Sequence, residues 1–391
     1  MSGLFLVLSG AATAGYIVGV GEEVEMNPWG TFHRTAPQGE DGWLYMVGSG
    51  GNWYVAETDA QHASTGQGET VVPEFELMID RGLARCDDGG WLLAASGNVV
   101  QPNDSLWVWR FDEDWNVLGQ SHLVDSEGGV ATNDMGVVCS SFFSGVVITE
   151  GGDGGPQSAR FYEVDERGRE VGSATVSGLP EAGGCSLIAD EDSQRILMLG
   201  VAGFQSDSLI WTWLDPDLKV LEQGEAALSG MGSGERAYWP QGLMKVGDLY
   251  LVAHMGRDEG QGWAADEGNV YLQVYDLEFN NLEGRQISQY EGPTGSMRPG
   301  FGRRGETLAM TWDAQNVPIV VDVELDLSGA HVPGDSADPV DVPDDSDGAG
   351  DSAGGGVPPD PACGCSAGRS AGGLVGLGLV GLAAFWRRRR R

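Results

Sequence analysis

Between residues 15 and 330, apolar and polar positions alternate in short runs, and the runs recur every fifty-odd residues. Ser105-Leu106-Trp107-Val108-Trp109-Arg110-Phe111-Asp112 is the clearest: an alternating aromatic stretch ends in Asp and leads through a polar turn into Val117-Leu118. Ser158 through Asp165, Ser208 through Asp215 and Asn269 through Asp276 repeat the pattern, a weaker copy ends at Asp59, and a degenerate one spans Ile319 to Asp326. A period of two marks β-strands with alternating faces. The Asp positions 59, 112, 165, 215 and 276 are spaced 53, 53, 50 and 61 apart. A strand repeat of that length is the signature of a β-propeller.

Each copy also carries an upstream strand, such as Gly90 to Ala95, Arg195 to Leu199 and Asp248 to Val252. Six copies of four strands predict an all-β, six-bladed propeller over 15–330; seven blades, with Leu4–Val20 adding strands, is the alternative count. One four-stranded blade cannot bury both its faces, whereas a ring of blades can. The repeated Asp is expected to accept backbone N–H groups in the turn after the third strand, a structural role rather than a metal-binding one.

Composition sharpens this picture. Sixty-three glycines and 13 tryptophans suit short strands joined by tight turns. Net charge is −36, and the segment from His331 onward holds eight Asp against six Arg, so nearly all the excess lies in residues 1–330. A body this acidic repels nucleic acid and anionic membrane surfaces, and it favours cations, with Ca²⁺ the candidate. From 331 to 362 the chain is mostly Asp, Pro, Gly and Ser, the composition of a disordered linker. Residues 1–14 pair an apolar Leu4–Leu8 with a small-residue Ala12-Thr13-Ala14, as a signal peptide and its cleavage site would; Leu4–Leu8 as a first strand is the alternative.

The last segment, 363–391, joins Cys363-Gly364-Cys365 to an apolar run from Ala371 to Trp386 and then to Arg387, Arg388, Arg389, Arg390 and Arg391. At ~1.5 Å per residue that run spans about 24 Å as a transmembrane helix, and the arginines hold its end on the cytoplasmic side. This order of parts resembles the MYXO-CTERM sorting signal of myxobacterial surface proteins. The resemblance implies recognition of the tail by a membrane sorting protease, removal of the helix, and retention at the cell surface, with Cys363 or Cys365 as the processing site. An unprocessed tail anchor is the other reading.

Three body cysteines, Cys86, Cys139 and Cys185, precede their copy's Asp by 26, 26 and 30 residues, and His33 precedes Asp59 by 26. Buried thiols, one disulfide between two of the three, and a Cys/His metal site all follow from that placement. The face formed by the loops between second and third strands offers ligand-binding candidates in His254, Arg257, Asp258, Trp263 and Asp313, with Asn103, Asp104, Asp153 and Asp207 nearby. No nucleophile elbow, P-loop or zinc-peptidase motif is present, and Cys86-Asp87-Asp88-Gly89-Gly90-Trp91 only partly matches the turn repeat of sialidases. The pattern therefore favours a surface-displayed binding or adhesion propeller whose extracellular ligand is a glycan or protein. A glycan-acting hydrolase is the alternative, to be recognised by two carboxylates about 5–10 Å apart in an axial pocket.

Overall fold

The computed structural model describes residues 15–330 apart from 27–30, 39–41, 50–51, 64–68, 73–77, 98–104, 125–134, 151–157, 177–181, 203–205, 260–267, 289–295 and 315–316. The chain divides into a unit from Met1 to Ser336 and a unit from Ala337 to Arg391, and every described residue belongs to the first. The expected leader at 1–14, linker at 331–362 and sorting tail at 363–391 lie outside the described residues. No helix among the described residues is long and apolar enough to cross a membrane.

All described elements are strands. Two short ones, β1 (Ile17–Val20) and β2 (Val24–Glu25), come first. Blade one is β3 (Thr31–Gln38), β4 (Gly42–Ser49), β5 (Asn52–Asp59) and β6 (Glu69–Val72). Blade two is β7 (Met78–Arg85), β8 (Trp91–Gly97), β9 (Ser105–Phe111) and β10 (Val117–Val124). Blade three is β11 (Met135–Cys139), β12 (Ser144–Glu150), β13 (Ser158–Val164) and β14 (Glu170–Val176). Blade four is β15 (Ala182–Asp190), β16 (Arg195–Ala202), β17 (Ser208–Leu214) and β18 (Val220–Ala227). Blade five is β19 (Glu235–Val246), β20 (Leu249–Asp258), β21 (Asn269–Asp276) and β22 (Asn281–Gln286). Then β23 (Ser296–Arg304), β24 (Thr307–Ala314) and β25 (Val317–Leu325) join β1 and β2 in a sheet of five strands.

The expectation of six four-stranded blades is corrected here. Five blades are self-contained antiparallel meanders, and the remaining sheet is composite, its outer strands supplied by the start of the described chain. Of the segment assigned to a seventh blade, the described residues Ile17–Val20 join this sheet instead, Ile17 pairing with Leu325, and Val24 beyond them pairs with Val320.

Alternation decides which neighbour each side chain meets. Along β8, Trp91, Leu93 and Ala95 pack with Met46, Trp53 and Val55 of blade one. Their alternates Leu92 and Ala94 pack with Met135, Val137 and Val146 of blade three. Further apolar clusters join blades three and four, four and five, five and the composite sheet, and the composite sheet and blade one. Every sheet is thus buried on both faces, the solution a ring makes available. Burial falls outward along a blade: β11 is buried throughout, whereas β14 is mostly exposed.

The turn after each blade's third strand is the same device in all five blades. Asp112 Oδ1 accepts the N–H of Asp114 at 3.0 Å and of Asn116 at 2.8 Å. Asp59, Asp165 and Asp276 each accept from residues two and four positions on, and Asp215 accepts from Lys219 at 2.8 Å. The third residue after each Asp has positive φ: His62, Trp115, Gly168, Leu218 and Phe279. Turn N–H groups favour the ionised Asp112, through Asn116 first, and hold its carboxyl below the ordinary value.

The left-handed residue also locks neighbouring sheets together. Phe279 stacks on Trp211 of blade four and on Tyr250 of its own blade, both at 4.9 Å. His62 reaches from blade one to the composite sheet: its Nε2–H donates to Asp322 at 2.9 Å, and its Nδ1 accepts from Tyr45 Oη at 2.5 Å. Burial, reinforced by the charge of Asp322, pushes the Tyr45 hydroxyl well above its usual pKa.

Candidate binding site

The candidates read from the sequence do not converge on one surface. His254 is 0% exposed, stacked on Tyr271 with centroids 5.5 Å apart. Its Nδ1–H donates to the Met255 carbonyl at 2.9 Å, and its Nε2 accepts from Gln273, 3.1 Å away. Burial first of all lowers its pKa to about 4. Arg257 is 1% exposed, its guanidinium 5.2 Å over the Tyr238 ring, and Asp313 is 5% exposed. The physical reason is one that loop placement hides. These residues lie within β20 and β24, the second strands of their sheets, which are buried on both faces. Asp258, at the end of β20, is exposed, as is Asp207. Trp263, Asn103, Asp104 and Asp153 lie outside the described residues.

Cys86 and Cys139 form a disulfide with Cα atoms 4.7 Å apart, tying blade two to blade three. Closing a loop of this length stabilises a fold by about 2–4 kcal/mol. Cys185 does not share their level. Cys139 ends β11 and Cys86 follows the end of β7, whereas Cys185 precedes the end of β15 by five residues. Among the described residues no group of three or more His, Cys, Asp or Glu side chains is placed to hold a metal ion.

Two concavities among those on the described surface bear on ligand binding. The first is an axial cavity of about 420 Å³, lined by inner strands β7, β11, β15, β19 and β23. Those strands run so close together that a Cβ at Gly82 would meet Val137 at 2.4 Å, and one at Gly242 would meet Phe301 at 2.7 Å. At the end where first strands turn into second strands sit Asp87 and Glu191. Ser141 N–H donates to Asp87 at 2.6 Å and to Glu191 at 3.3 Å, and the Ser141 hydroxyl donates to Glu191 at 2.7 Å. Burial, then the hydrogen bond shared with Glu191, raises the Asp87 pKa. The two carboxyl groups thus converge on Ser141 at this end of the cavity.

Beside them, Arg110 is buried and donates to both oxygens of Asp88, at 2.7 and 2.5 Å, and to the Trp91 carbonyl at 3.2 Å. Burial would raise Asp88, but the Gly90 N–H and Arg110 outweigh it and hold that carboxyl low.

The second concavity, about 260 Å³, is a groove between blades four and five. Its floor is the aromatic stack of Trp211, Phe279 and Tyr250. Its walls are charged: Lys245 Nζ lies 2.8 Å from Asp190, and the Arg195 guanidinium sits 4.4 Å over the Trp213 ring. Glu222 and Glu278 line the rim. Burial and the charge of Asp190 raise the Tyr250 pKa, while the Lys245 and Ser193 donors overcome burial to hold Asp190 low. Phe279 and Tyr250 are buried in this stack, so the part-exposed Trp211 is the ring that, set among fixed donors and acceptors, suits a polar ligand that also presents C–H faces.

In the sequence Trp211 and Trp213 fall inside the Ser208–Asp215 repeat, Asp87 falls inside the partly sialidase-like turn, and Glu191 belongs to neither pattern. The signal for the groove is the aromatic pair at i and i+2 on β17, opposite an aromatic at the left-handed turn position of the next blade.

The fold defines a β-propeller closed by a composite sheet. No family model matches the sequence, and no curated protein matches it. Among solved structures it is similar to the subtype N10 neuraminidase-like protein of A/little yellow-shouldered bat/Guatemala/060/2010, at 11% identity and TM-score 0.46, covering 79% of this chain and 99% of that one. It is also similar to a neuraminidase-like protein from A/bat/Guatemala/164/2009, at 9% identity and TM-score 0.46, covering 79% and 96%. Likeness at this level carries neither ligand nor activity across.

Proposed function

We propose that the protein is a propeller displayed at the cell surface that binds a glycan or protein ligand without hydrolysing it. The groove between blades four and five carries this reading, since it joins stacked aromatic rings to charged pairs already held in place. The arrangement of parts at the two chain ends, Ala12-Thr13-Ala14 at one and Cys363-Gly364-Cys365 with Arg387–Arg391 at the other, supports export and anchoring by a sorting protease. The six-sheet ring, counting the composite sheet as a blade, is the architecture we assign to the displayed body. Calcium, if bound, acts on the acidic body as a whole.

The hydrolase reading rests on the axial cavity with Asp87 and Glu191 at its mouth. Glycosidases separate their carboxyl groups by ~5–10 Å to admit the sugar and, in inverting enzymes, a water. Here both carboxyl groups are engaged by Ser141, which favours binding over hydrolysis. The test exposes purified protein to immobilised glycans and, separately, to chromogenic glycosides. Retention that drops in Trp211→Ala, with no turnover, supports the reading. Turnover abolished by Asp87→Asn would replace it with the hydrolase.

A further inference from the structure

One carboxylate has a placement that neither the repeat nor the groove explains. Glu283 lies on β22, the outer strand of blade five, yet its Oε2 accepts the backbone N–H of Ile17 at 3.0 Å. Two residues further on, Arg285 donates from Nη1 to the Ile17 carbonyl at 2.9 Å. These two side chains grip both sides of one peptide position at the start of β1, the strand that completes the composite sheet. The Glu283 carboxylate also lies flat against Gly15. A Cβ at that residue would fall 2.6 Å from Oε2 and 3.0 Å from Oε1, so the residue with no side chain is the one that stands there. The backbone at Tyr16 is fixed as well, because its carbonyl accepts from Asp326 N–H at 2.8 Å.

Immediately before Gly15 the sequence reads Ala12-Thr13-Ala14, small residues at the positions a signal peptidase reads. We propose that the chain is cut between Ala14 and Gly15, and that the α-ammonium so created pairs with the Glu283 carboxylate, latching β1 to blade five. The inference rests on the export reading for the cut but not for the latch. In the cut, water adds across the peptide bond: the Ala14 carbonyl leaves with the leader as a carboxylate, and the Gly15 nitrogen becomes an ammonium. Before the cut, that nitrogen is a neutral amide carrying one hydrogen. Afterwards it carries a full positive charge and three donors within reach of an anion already oriented by Ile17. Removing the leader would therefore do more than shorten the chain. It would tighten the closure of the ring at the moment the protein reaches its destination.

Two measurements test this separately. N-terminal sequencing of the protein recovered from its native cell surface should begin at Gly15, and any other mature terminus overturns the cut. The latch is tested on recombinant chains running from Gly15 to the end. Against an otherwise identical chain keeping Thr13-Ala14, the Gly15 chain should melt about 1–3 °C higher near neutral pH, the scale of one partly exposed ion pair. In Glu283→Gln, the difference between the two chains should vanish. Pairing raises the amine's folded pKa above its unfolded value of ~8, so the gain is complete below that value and fades as pH rises through the folded one. A difference that persists unchanged in Glu283→Gln, or that is absent in the native sequence, overturns the latch.

Discussion

The five continuous blades and the composite sheet solve the same problem by different means. A blade is made locally, with each strand pairing with the next in the chain and the third-strand Asp closing the turn. The composite sheet is made at long range: Ile17 meets Leu325, His62 meets Asp322, and Glu283 meets Ile17, each across more than 250 residues. A repeat can therefore propagate on local rules alone, but a ring needs one junction specified by residues that do not repeat. His62 illustrates the point. It occupies the same left-handed turn position as Trp115, Gly168, Leu218 and Phe279, and it alone of these carries an imidazole joining a carboxylate to a tyrosine across the seam.

Removing the junction should have the largest effect. Deleting residues 15–26 strips β1 and β2 from β25 and exposes the surface that Ile17 and Met26 bury. Each such side chain stabilises by about 1.5–3 kcal/mol, so the loss should be about 5 kcal/mol with the strand hydrogen bonds included. Denaturant unfolding followed by tryptophan fluorescence would read it. A midpoint unchanged by the deletion would mean that the blades hold the ring shut without the seam.

Acid should act on the buried His254, inside blade five. His254 has a folded pKa of about 4 against an ordinary 6.5, so the unfolded chain takes up a proton at higher pH than the native one does. Its contribution is fully present above the unfolded value and is lost as pH falls from 6.5 towards 4, about 3 kcal/mol in all. His254→Gln should flatten the stability profile in that window. An unchanged slope would place the acid sensitivity in other groups.

The smallest effect belongs to a single repeated turn. Asp276→Ala removes the acceptor for Glu278 and Asn280 N–H and should cost about 1 kcal/mol. The loss should leave the blade's pairing intact, as amide exchange confined to that turn would show. Protection lost across all of β21 and β22 would mean the turns carry the blades, contrary to the comparison above.

Much of this architecture was legible. The alternation in β9, β13, β17 and β21 marks third strands, and the Asp after each marks its turn, because strand period and Asx geometry are local properties. The candidate site was not legible. His254 and Arg257 look like loop chemistry in the sequence and are core residues in the fold, since only assembly of the ring buries the second strand on both sides. Asp87 and Glu191 stand 104 positions apart, and nothing in either local sequence says that Ser141 lies between them. Cys86 and Cys139 share a repeat position, but so nearly does Cys185. The disulfide partner follows from which inner strands are adjacent at the same height.

By itself the sequence determined the strands, their turns and the repeat that strings them together, because these depend on side-chain alternation and on hydrogen bonds spanning only a few residues. Tertiary structure alone decided that the start of the chain closes the last sheet, which residues face solvent, and where two blades leave a groove. Those outcomes depend on distances across the ring, which arise only when the blades have assembled.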